Sequence, residues 1–256
     1  MSALQEILRR GEFAVTAEVG PPKGANREVI EKKCAGLCGF VDAVNITDNQ
    51  TAIVRLSSFA SCLIAKDKGI EPVMQMVCRD RNRIALQSDF LGACAWGVEN
   101  FLCLSGDHQS MGNHPQSKNV FDVDSIQLLQ ILKNMRDEKV FQNGEPLKGE
   151  IKAFLGAGAS PFADPLEFRV IRLAKKISAG AQFIQTQAVF DLEIFSRFME
   201  EVRKAGLDKK AAILAGVIPV KSLSALRYMQ NEVPGVVVPD SLIERMKKAK
   251  DPKEEG

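Results

Sequence analysis

Pro72-Val73-Met74-Gln75-Met76-Val77-Cys78 is a short apolar run interrupted only by Gln75, and Asn100-Phe101-Leu102-Cys103-Leu104 is a second. Between them, residues 82–96 carry the longer amphipathic spacing of a helix. A strand, a helix and another strand buried on both faces make a βα unit of a parallel sheet. The same alternation extends outward in both directions. Strands are predicted at 13–18, 43–47, 72–78, 100–104, 151–155, 183–187 and 212–217, and helices at 27–37, 52–68, 82–96, 123–138, 165–179, 192–204 and 223–230. Repeated βα units of this kind close into a parallel (β/α)8 TIM barrel, whose strands are held by backbone bonds and by side chains filling the interior. Seven strands leave the eighth βα unit missing. The last segment, 240–250, reads as an amphipathic helix leading into a solvated tail at 251–256. Either the chain is shortened or a neighbouring chain covers the open edge.

A chain of 256 residues, 45% hydrophobic and 26% charged, can bury the core of one barrel domain, so 1–256 is read as a single domain. The balance of 34 basic and 32 acidic residues gives a net charge of +2 and no electrostatic footprint for nucleic acid or a membrane. Residues 1–10 are amphipathic rather than a signal core, and no apolar run approaches the roughly 20 residues that span a bilayer. A cytoplasmic protein is expected. The six cysteines (Cys34, Cys38, Cys62, Cys78, Cys94 and Cys103) sit mostly in apolar runs without paired zinc spacings, and are read as reduced core thiols with no metal site.

In a parallel barrel, function gathers at the carboxyl ends of the strands. The polar residues there are Glu18, Asn45 with Thr47, Gln75, Asp107, Ser160 and Gln187. That set is rich in carboxylates and amides and poor in histidine, which argues against a histidine triad. Glu18 ends an apolar strand, so lost solvation should raise its pKa toward that of a general acid; a capping or salt-bridged glutamate is the alternative. Leu104-Ser105-Gly106-Asp107 sets a small turn and a carboxylate directly after the fourth strand. Glycine there lets a flat ring approach the backbone and the aspartate can accept from ring nitrogens, or the aspartate simply serves the turn. The long polar connection 106–121 that follows is placed to build a site. Period two sends Gln185 and Gln187 to one side of their strand, as ligand contacts or as a polar layer inside the barrel. Lys175 and Lys176 end a helix, where they suit either an anion or the helix macrodipole. His108 and His114 read as solvated loop residues, and Gly156-Ala157-Gly158-Ala159-Ser160 lacks the third glycine of a dinucleotide fingerprint.

Taken in order, several pieces resemble the methylenetetrahydrofolate reductase family. They are Ala17-Glu18-Val19-Gly20-Pro21-Pro22-Lys23, Val44-Asn45-Ile46-Thr47-Asp48-Asn49, Cys78-Arg79-Asp80-Arg81-Asn82, Leu104-Ser105-Gly106-Asp107, Ala179-Gly180-Ala181, Gln185-Thr186-Gln187-Ala188-Val189-Phe190-Asp191, and Ala215-Gly216-Val217-Ile218-Pro219-Val220. The resemblance implies a flavoenzyme that reduces 5,10-methylenetetrahydrofolate to 5-methyltetrahydrofolate by hydride transfer from reduced flavin. It implies that Glu18 is the general acid, that Asp107 lies near both flavin and pterin as a catalytic charge, and that Gln187 and Met229 join them in binding substrate. It further implies that the flavin lies against Asn45, Thr47, Gln75, Leu104, Ser105, Gly106, Asp107, Phe121, Ser160, Arg172, Lys175 and Lys176.

Where relatives have an arginine, two histidines and a tyrosine, this chain has Ser105, Gln75, Ser160 and Gly156. Contacts to the distal half of a dinucleotide flavin are thereby altered, so FMN stands beside FAD as the implied cofactor. Ala225 and Met229 replace a glutamine and a phenylalanine, which leaves NAD(P)H as one possible electron donor among others. The loop from Asp107 to Pro115 is similar to that of reductases in anaerobic one-carbon pathways, which implies an oligomer or a complex with an electron-relaying partner subunit. Two other readings compete. One is a non-catalytic barrel subunit of a methyl-transfer or electron-transfer complex, against which the retained Glu18, Asp107 and Gln187 argue. The other is a Schiff-base aldolase, which would need an inward-facing strand lysine, whereas Lys152 falls at the start of its strand.

Overall fold

The computed structural model describes residues 1–233, 235–249 and 251. Among the described residues, seven parallel strands alternate with helices, and the strand order follows the chain. This is the (β/α) barrel fold class. The strands are β1 (Thr16–Val19), β2 (Ala43–Ile46), β3 (Pro72–Val77), β4 (Asn100–Leu104), β5 (Phe154–Ala159), β6 (Phe183–Ala188) and β7 (Ala212–Gly216). The helices are α1 (Ala3–Arg9), α2 (Glu28–Leu37), α3 (Ser58–Asp67), α4 (Arg83–Ala95), α5 (Ser125–Asp137), α6 (Leu166–Ser178), α7 (Leu192–Lys204), α8 (Leu223–Glu232) and α9 (Asp240–Lys248). The chain forms two compact units, residues 1–157 with 178–182 and residues 158–177 with 183 onward, and each is described by itself. Of the tail expected at 251–256, all but Asp251 lies outside the described residues, as does residue 250 at the expected end of the last helix.

In the first unit, β1 to β4 pair in parallel and β4 continues to the start of β5. Every residue of β2 and β3 is buried, as expected for a sheet covered on both faces. The βα unit read first from the sequence is anchored by Phe90 of α4 against Phe101 of β4, both fully buried, with ring centroids 4.7 Å apart at 67°. Burial of each ring is worth about 1.5–3 kcal/mol, before the edge-to-face contact. Asn82 starts α4 by accepting from the backbone N–H groups of Ile84 and Ala85, and Asp124 starts α5 with Gln127 in a reciprocal capping box. At the amino end of β4, Ser2 donates to Asn100 at 2.6 Å, and Leu4 two residues on is fully buried.

Three elements differ from the sequence reading by three residues or more at an end. β1 starts at Thr16 rather than at 13, because Phe13 is 91% exposed and Val15 pairs with Asp42 below the strand. β5 is displaced toward the carboxyl end, so that Gly156 to Ala159 lie in the strand and 151–153 precede it. Small residues without β-branching hide a strand from propensity. The helix predicted from 52 begins at Ser58, because the backbone at Asn49, Thr51 and Ala52 is left-handed and Ser57 provides the N-cap.

In the second unit, β6 pairs with β7 in parallel. Helices α8 and α9 pack around Val220, Leu226, Val238, Ile243 and Met246. Met229 packs against this cluster.

Candidate active site

The first unit gathers most of the polar strand ends. Glu18 pairs in register with Asn45 across β1 and β2. Its accessible surface is open, yet the protein atoms crowded around it desolvate the carboxyl and raise its pKa above the ordinary 4.5. The direction is the expected one, and it is the direction that bears on chemistry. Asn45 is buried; its amide donates to Thr16 Oγ1 at 3.2 Å while its carbonyl oxygen has no protein partner. Thr47, also buried, donates to Gln50 Oε1 at 2.7 Å. Gln75 is buried in β3, and Leu104 ends β4 half-buried. Ser105 Oγ accepts the first backbone N–H of α5, from Ser125 at 3.3 Å. Phe121 is left-handed, with φ 39°, and exposed.

Gly106 takes φ +92°, and a Cβ there would lie 3.2 Å from Val77 Cβ and 3.3 Å from Arg79 Cβ. Only glycine lets this turn lie flat on the end of β3. The turn delivers Asp107, whose Oδ2 accepts the Thr51 N–H at 3.2 Å. The loops after β2 and β4 are further joined by the Val54 N–H bond to Asn113 Oδ1, at 3.2 Å. Gly112 fits so closely against Ala52 that a Cβ would fall 1.8 Å from its carbonyl oxygen.

Beneath these loops lies a charged layer that strand-end reading missed. Arg79 is 2% exposed and clamps Asp80, with Nε to Oδ1 at 2.8 Å and Nη2 to Oδ2 at 2.7 Å. Burial pushes the Asp80 carboxyl up, but the Arg79 bonds and charge and the Asn49 amide outweigh it and hold the pKa below the ordinary value. Arg81 bridges Asp48 and Asp89, and Asp48 also accepts the Val77 N–H at 2.9 Å. Both segments carry the family resemblance, so their charge density just past β2 and β3 was a signal available in the sequence.

In the second unit, Ser160, Arg172 and Lys176 line one cavity of about 140 Å³ with Gly158, Ala159, Arg169, Leu173 and Phe198. The Ser160 hydroxyl is buried without a protein partner. Lys176 Nζ donates to the Gly158 carbonyl at 2.6 Å, while Arg169 donates to the carbonyls of Ala163 and Asp164. Lys175 is exposed and does not line this cavity; Arg169 does, and sequence reasoning overlooked it. Gln187 is exposed, which corrects the expectation of a buried amide. Period two holds here: Gln185 and Gln187 share the more open side, while Thr186 opposite them is buried and accepts the Gly216 N–H at 2.9 Å; the irregularity between Gln185 and Ala188 lies in the pairing with β7. A Cβ on Gly235 would lie 3.4 Å from Ser160 Oγ and 4.0 Å from Gln187 Cγ, so this segment sits against both residues.

Among the described residues, no group of three or more His, Cys, Asp or Glu side chains could hold a metal ion. None of the described helices is long and apolar enough to cross a membrane. The cysteines are free: Cys34, Cys62, Cys78 and Cys103 are buried, Cys94 is intermediate and Cys38 is exposed. Burial pushes the Cys78 and Cys94 thiols up to about 12, which leaves them unreactive near neutrality.

The fold and its polar strand ends define a (β/α)-barrel protein with its candidate site at the carboxyl ends of the strands. Residues 3–255 match the family model described as Methylenetetrahydrofolate reductase, and the chain belongs to that family. A Caenorhabditis elegans relative named "Probable methylenetetrahydrofolate reductase (NADPH)" is 23% identical over 93% of this chain and 35% of its own length. A Pectobacterium carotovorum 5,10-methylenetetrahydrofolate reductase is 26% identical over 64% of this chain and 49% of its own. The chain thus spans only about a third to a half of these relatives, 35% and 49%. An uncharacterized Clostridium thermocellum protein, described as binding two copies of 5-methyl-5,6,7,8-tetrahydrofolic acid, shares the fold with a TM-score of 0.67 and 18% identity. That match covers 99% of this chain and 82% of the other. A 2,3-dimethylmalate lyase of the PEP mutase/isocitrate lyase superfamily matches more distantly, with a TM-score of 0.52 and 12% identity over 79% of this chain and 69% of its own.

Proposed function

We propose that this chain is a flavin-dependent reductase that converts 5,10-methylenetetrahydrofolate to 5-methyltetrahydrofolate. The observation that carries the reading is Glu18, a carboxyl raised by desolvation at the end of β1 in a member of this family. A carboxyl that keeps its proton closer to neutrality can donate it to the folate nitrogen that leaves the methylene carbon. As that C–N bond breaks, positive charge develops on the remaining nitrogen and carbon. The Asp107 carboxylate, fixed by the Thr51 N–H, is the anion that favours this cation. Gln187, exposed at the end of β6, is available to bind the pterin.

The residues present fit a flavin. In the first unit, Gly106 provides a flat surface where a Cβ would press on Val77 and Arg79; within the second unit, the cavity lined by Arg169, Arg172 and Lys176 suits a phosphate. The buried, unpartnered Ser160 hydroxyl lies beside those cations and offers a further donor. Bound flavin would supply the hydride that completes the methyl group. The altered contacts keep both FAD and FMN in play, with NAD(P)H or a partner subunit as the source of electrons.

Protein produced with ample riboflavin, then denatured, should release one flavin per chain, identified by chromatography. Reduced protein mixed anaerobically with methylenetetrahydrofolate should reoxidise and form methyltetrahydrofolate. Recovery of no flavin would overturn the proposal.

A further inference from the structure

We propose that Arg79 is a positioning residue for Asp107, a role that rests on the proposed reductase chemistry. Its guanidinium reaches the two loops that together hold the Asp107 carboxylate. Nη1 donates to the backbone carbonyl of Asp107 itself at 3.1 Å. Nη2 donates to the carbonyl of Asn49 at 3.1 Å, two residues before the Thr51 N–H that the carboxylate accepts. One planar group therefore fixes both the carboxylate's own backbone and the segment carrying its hydrogen-bond donor.

The rest of the Arg79 environment holds that group still. The backbone N–H donates to the Ser105 carbonyl at 3.1 Å, and its carbonyl accepts the Val120 N–H at 2.8 Å, so the residue is joined to both ends of the long loop after β4. The two-point clamp with Asp80 sets the plane of the fork. Gly106 lets the turn before Asp107 lie directly on Arg79, where a Cβ would press on Arg79 Cβ at 3.3 Å and Nη1 at 3.4 Å.

The need for such a device follows from the β2 loop. Asn49, Thr51 and Ala52 have φ of 43°, 58° and 54°, a left-handed series that non-glycine residues avoid. Such backbone persists only where its surroundings over-determine it. The guanidinium satisfies the carbonyl of the first of these residues and the Asp107 carboxylate satisfies the N–H of the second. Lysine would keep the charge but has no planar fork, and could not serve Asn49, Asp107 and Asp80 with the same geometry.

Two variants test this in the full chain: Arg79→Lys, and Asp80→Asn, which removes the charge that grips the fork from its other side yet leaves an amide oxygen able to accept from the Asn49 side chain, whose Nδ2 lies 3.3 Å from Asp80 Oδ2 in the parent. Amide hydrogen exchange of residues 50–53 in flavin-free protein should quicken by about tenfold in each, as the Thr51 bond opens more often. In flavin-loaded protein, folate-dependent reoxidation should fall by about 10-fold to 100-fold, while flavin reduction by an artificial donor holds. Combined with Asp107→Asn, neither variant should lower folate reoxidation further, because residues acting as one unit are not additive. Unchanged exchange, fully additive losses, or equal slowing of both half-reactions would overturn the role of Arg79. Should Arg79→Lys fail to fold, Asp80→Asn alone decides by the same measurements. Altered exchange in a protein that binds no flavin would count against the reductase reading and leave the positioning of Asp107 standing.

Discussion

The Asp107 carboxylate accepts the Thr51 backbone N–H at 3.2 Å, so the charge at the end of β4 is held by the loop that leaves β2. An asparagine would keep an acceptor for that N–H and remove the charge. Asp107→Asn should therefore fold and keep its flavin, yet lose about 10²-fold in reduction of methylenetetrahydrofolate, the usual scale for one preorganised electrostatic contact. Flavin reduction by an artificial donor should fall much less. Stopped-flow absorbance of the two half-reactions measures this, and equal slowing would place the role of Asp107 on the flavin or the fold.

Gly106→Ala should destabilise the protein and weaken flavin binding. The φ of +92° costs an alanine about 1–2 kcal/mol, and its Cβ would press on Val77 and Arg79 at 3.2 and 3.3 Å. Gly144→Ala provides the control, since φ there is +87° but nothing lies within 4 Å of a Cβ. Both should lower the unfolding temperature, and only Gly106→Ala should change flavin affinity as well. Equal flavin affinity in the two variants would remove Gly106 from the cofactor surface.

Removing one cation from the second unit's cavity should weaken binding of a phosphorylated flavin more than of riboflavin. Arg172→Ala, read by fluorescence titration of flavin-free protein, should raise the Kd for FMN by about 10-fold or more, the worth of a charge-assisted hydrogen bond. Riboflavin affinity should stay within a factor of about two, because it has no phosphate for Arg172 to meet. A parallel loss for both would move the phosphate elsewhere.

Much of this was legible before the structure. The helices after β3 and β4 were legible from their amphipathic spacing to within two residues, their N-caps Asn82 and Asp124 being found only in the structure, and the fully buried β2 and β3 read directly as apolar runs. β5 was misplaced because Gly156, Ala157 and Gly158 carry no strand preference, and it is pairing with β4 that draws Gly156 and Ala157 into a strand. Glu18 and Asp107 stand where their strand ends put them. The charges of Arg79, Asp80 and Arg81 stand together in the sequence, but the Arg81 pair with Asp48 and the Arg79 bonds to the Asn49 and Asp107 carbonyls depend on which loops fold over which strands, a relation between segments distant in sequence. Alternation placed Gln185 and Gln187 on one side of β6, but which side is covered depends on what packs over the strand, so the exposure of Gln187 was not legible.

Asp122 gives a test of pH dependence. It accepts from the Arg83 backbone N–H at 3.0 Å and pairs with the Arg83 side chain at 2.7 Å, at the start of α4. The Arg83 side-chain bond, then its backbone bond, hold the carboxyl down at about 2, against an ordinary 3.8. A depressed folded pKa contributes stability above the unfolded value, lost as pH falls through the folded one. Asp122→Asn should thus lower the thermal midpoint at neutral pH, and the gap from the parent should close between 3.8 and about 2. A gap independent of pH would exclude a contribution from the charge.

Glu18 carries the last prediction, and its sign is the reverse. Desolvation raises its folded pKa above 4.5, so the stability tied to the neutral acid is present below that value and is lost as pH rises through the raised one. Glu18→Gln cannot ionise and escapes that loss. The variant should match the parent's thermal midpoint below pH 4.5 and exceed it at neutral pH. Its chemistry should move the other way: glutamine keeps the size and much of the hydrogen bonding but has no carboxyl proton to give. Flavin binding and flavin reduction should survive, while reoxidation by methylenetetrahydrofolate falls by about 10² to 10⁴, the usual worth of a general acid. A folding defect would lower both half-reactions together with the midpoint, so the combination of higher stability and a selectively slowed folate step separates an acid from a structural glutamate. A variant that reduces methylenetetrahydrofolate at the parent rate would show that the proton comes from elsewhere, and the proposed mechanism would fail at its first step.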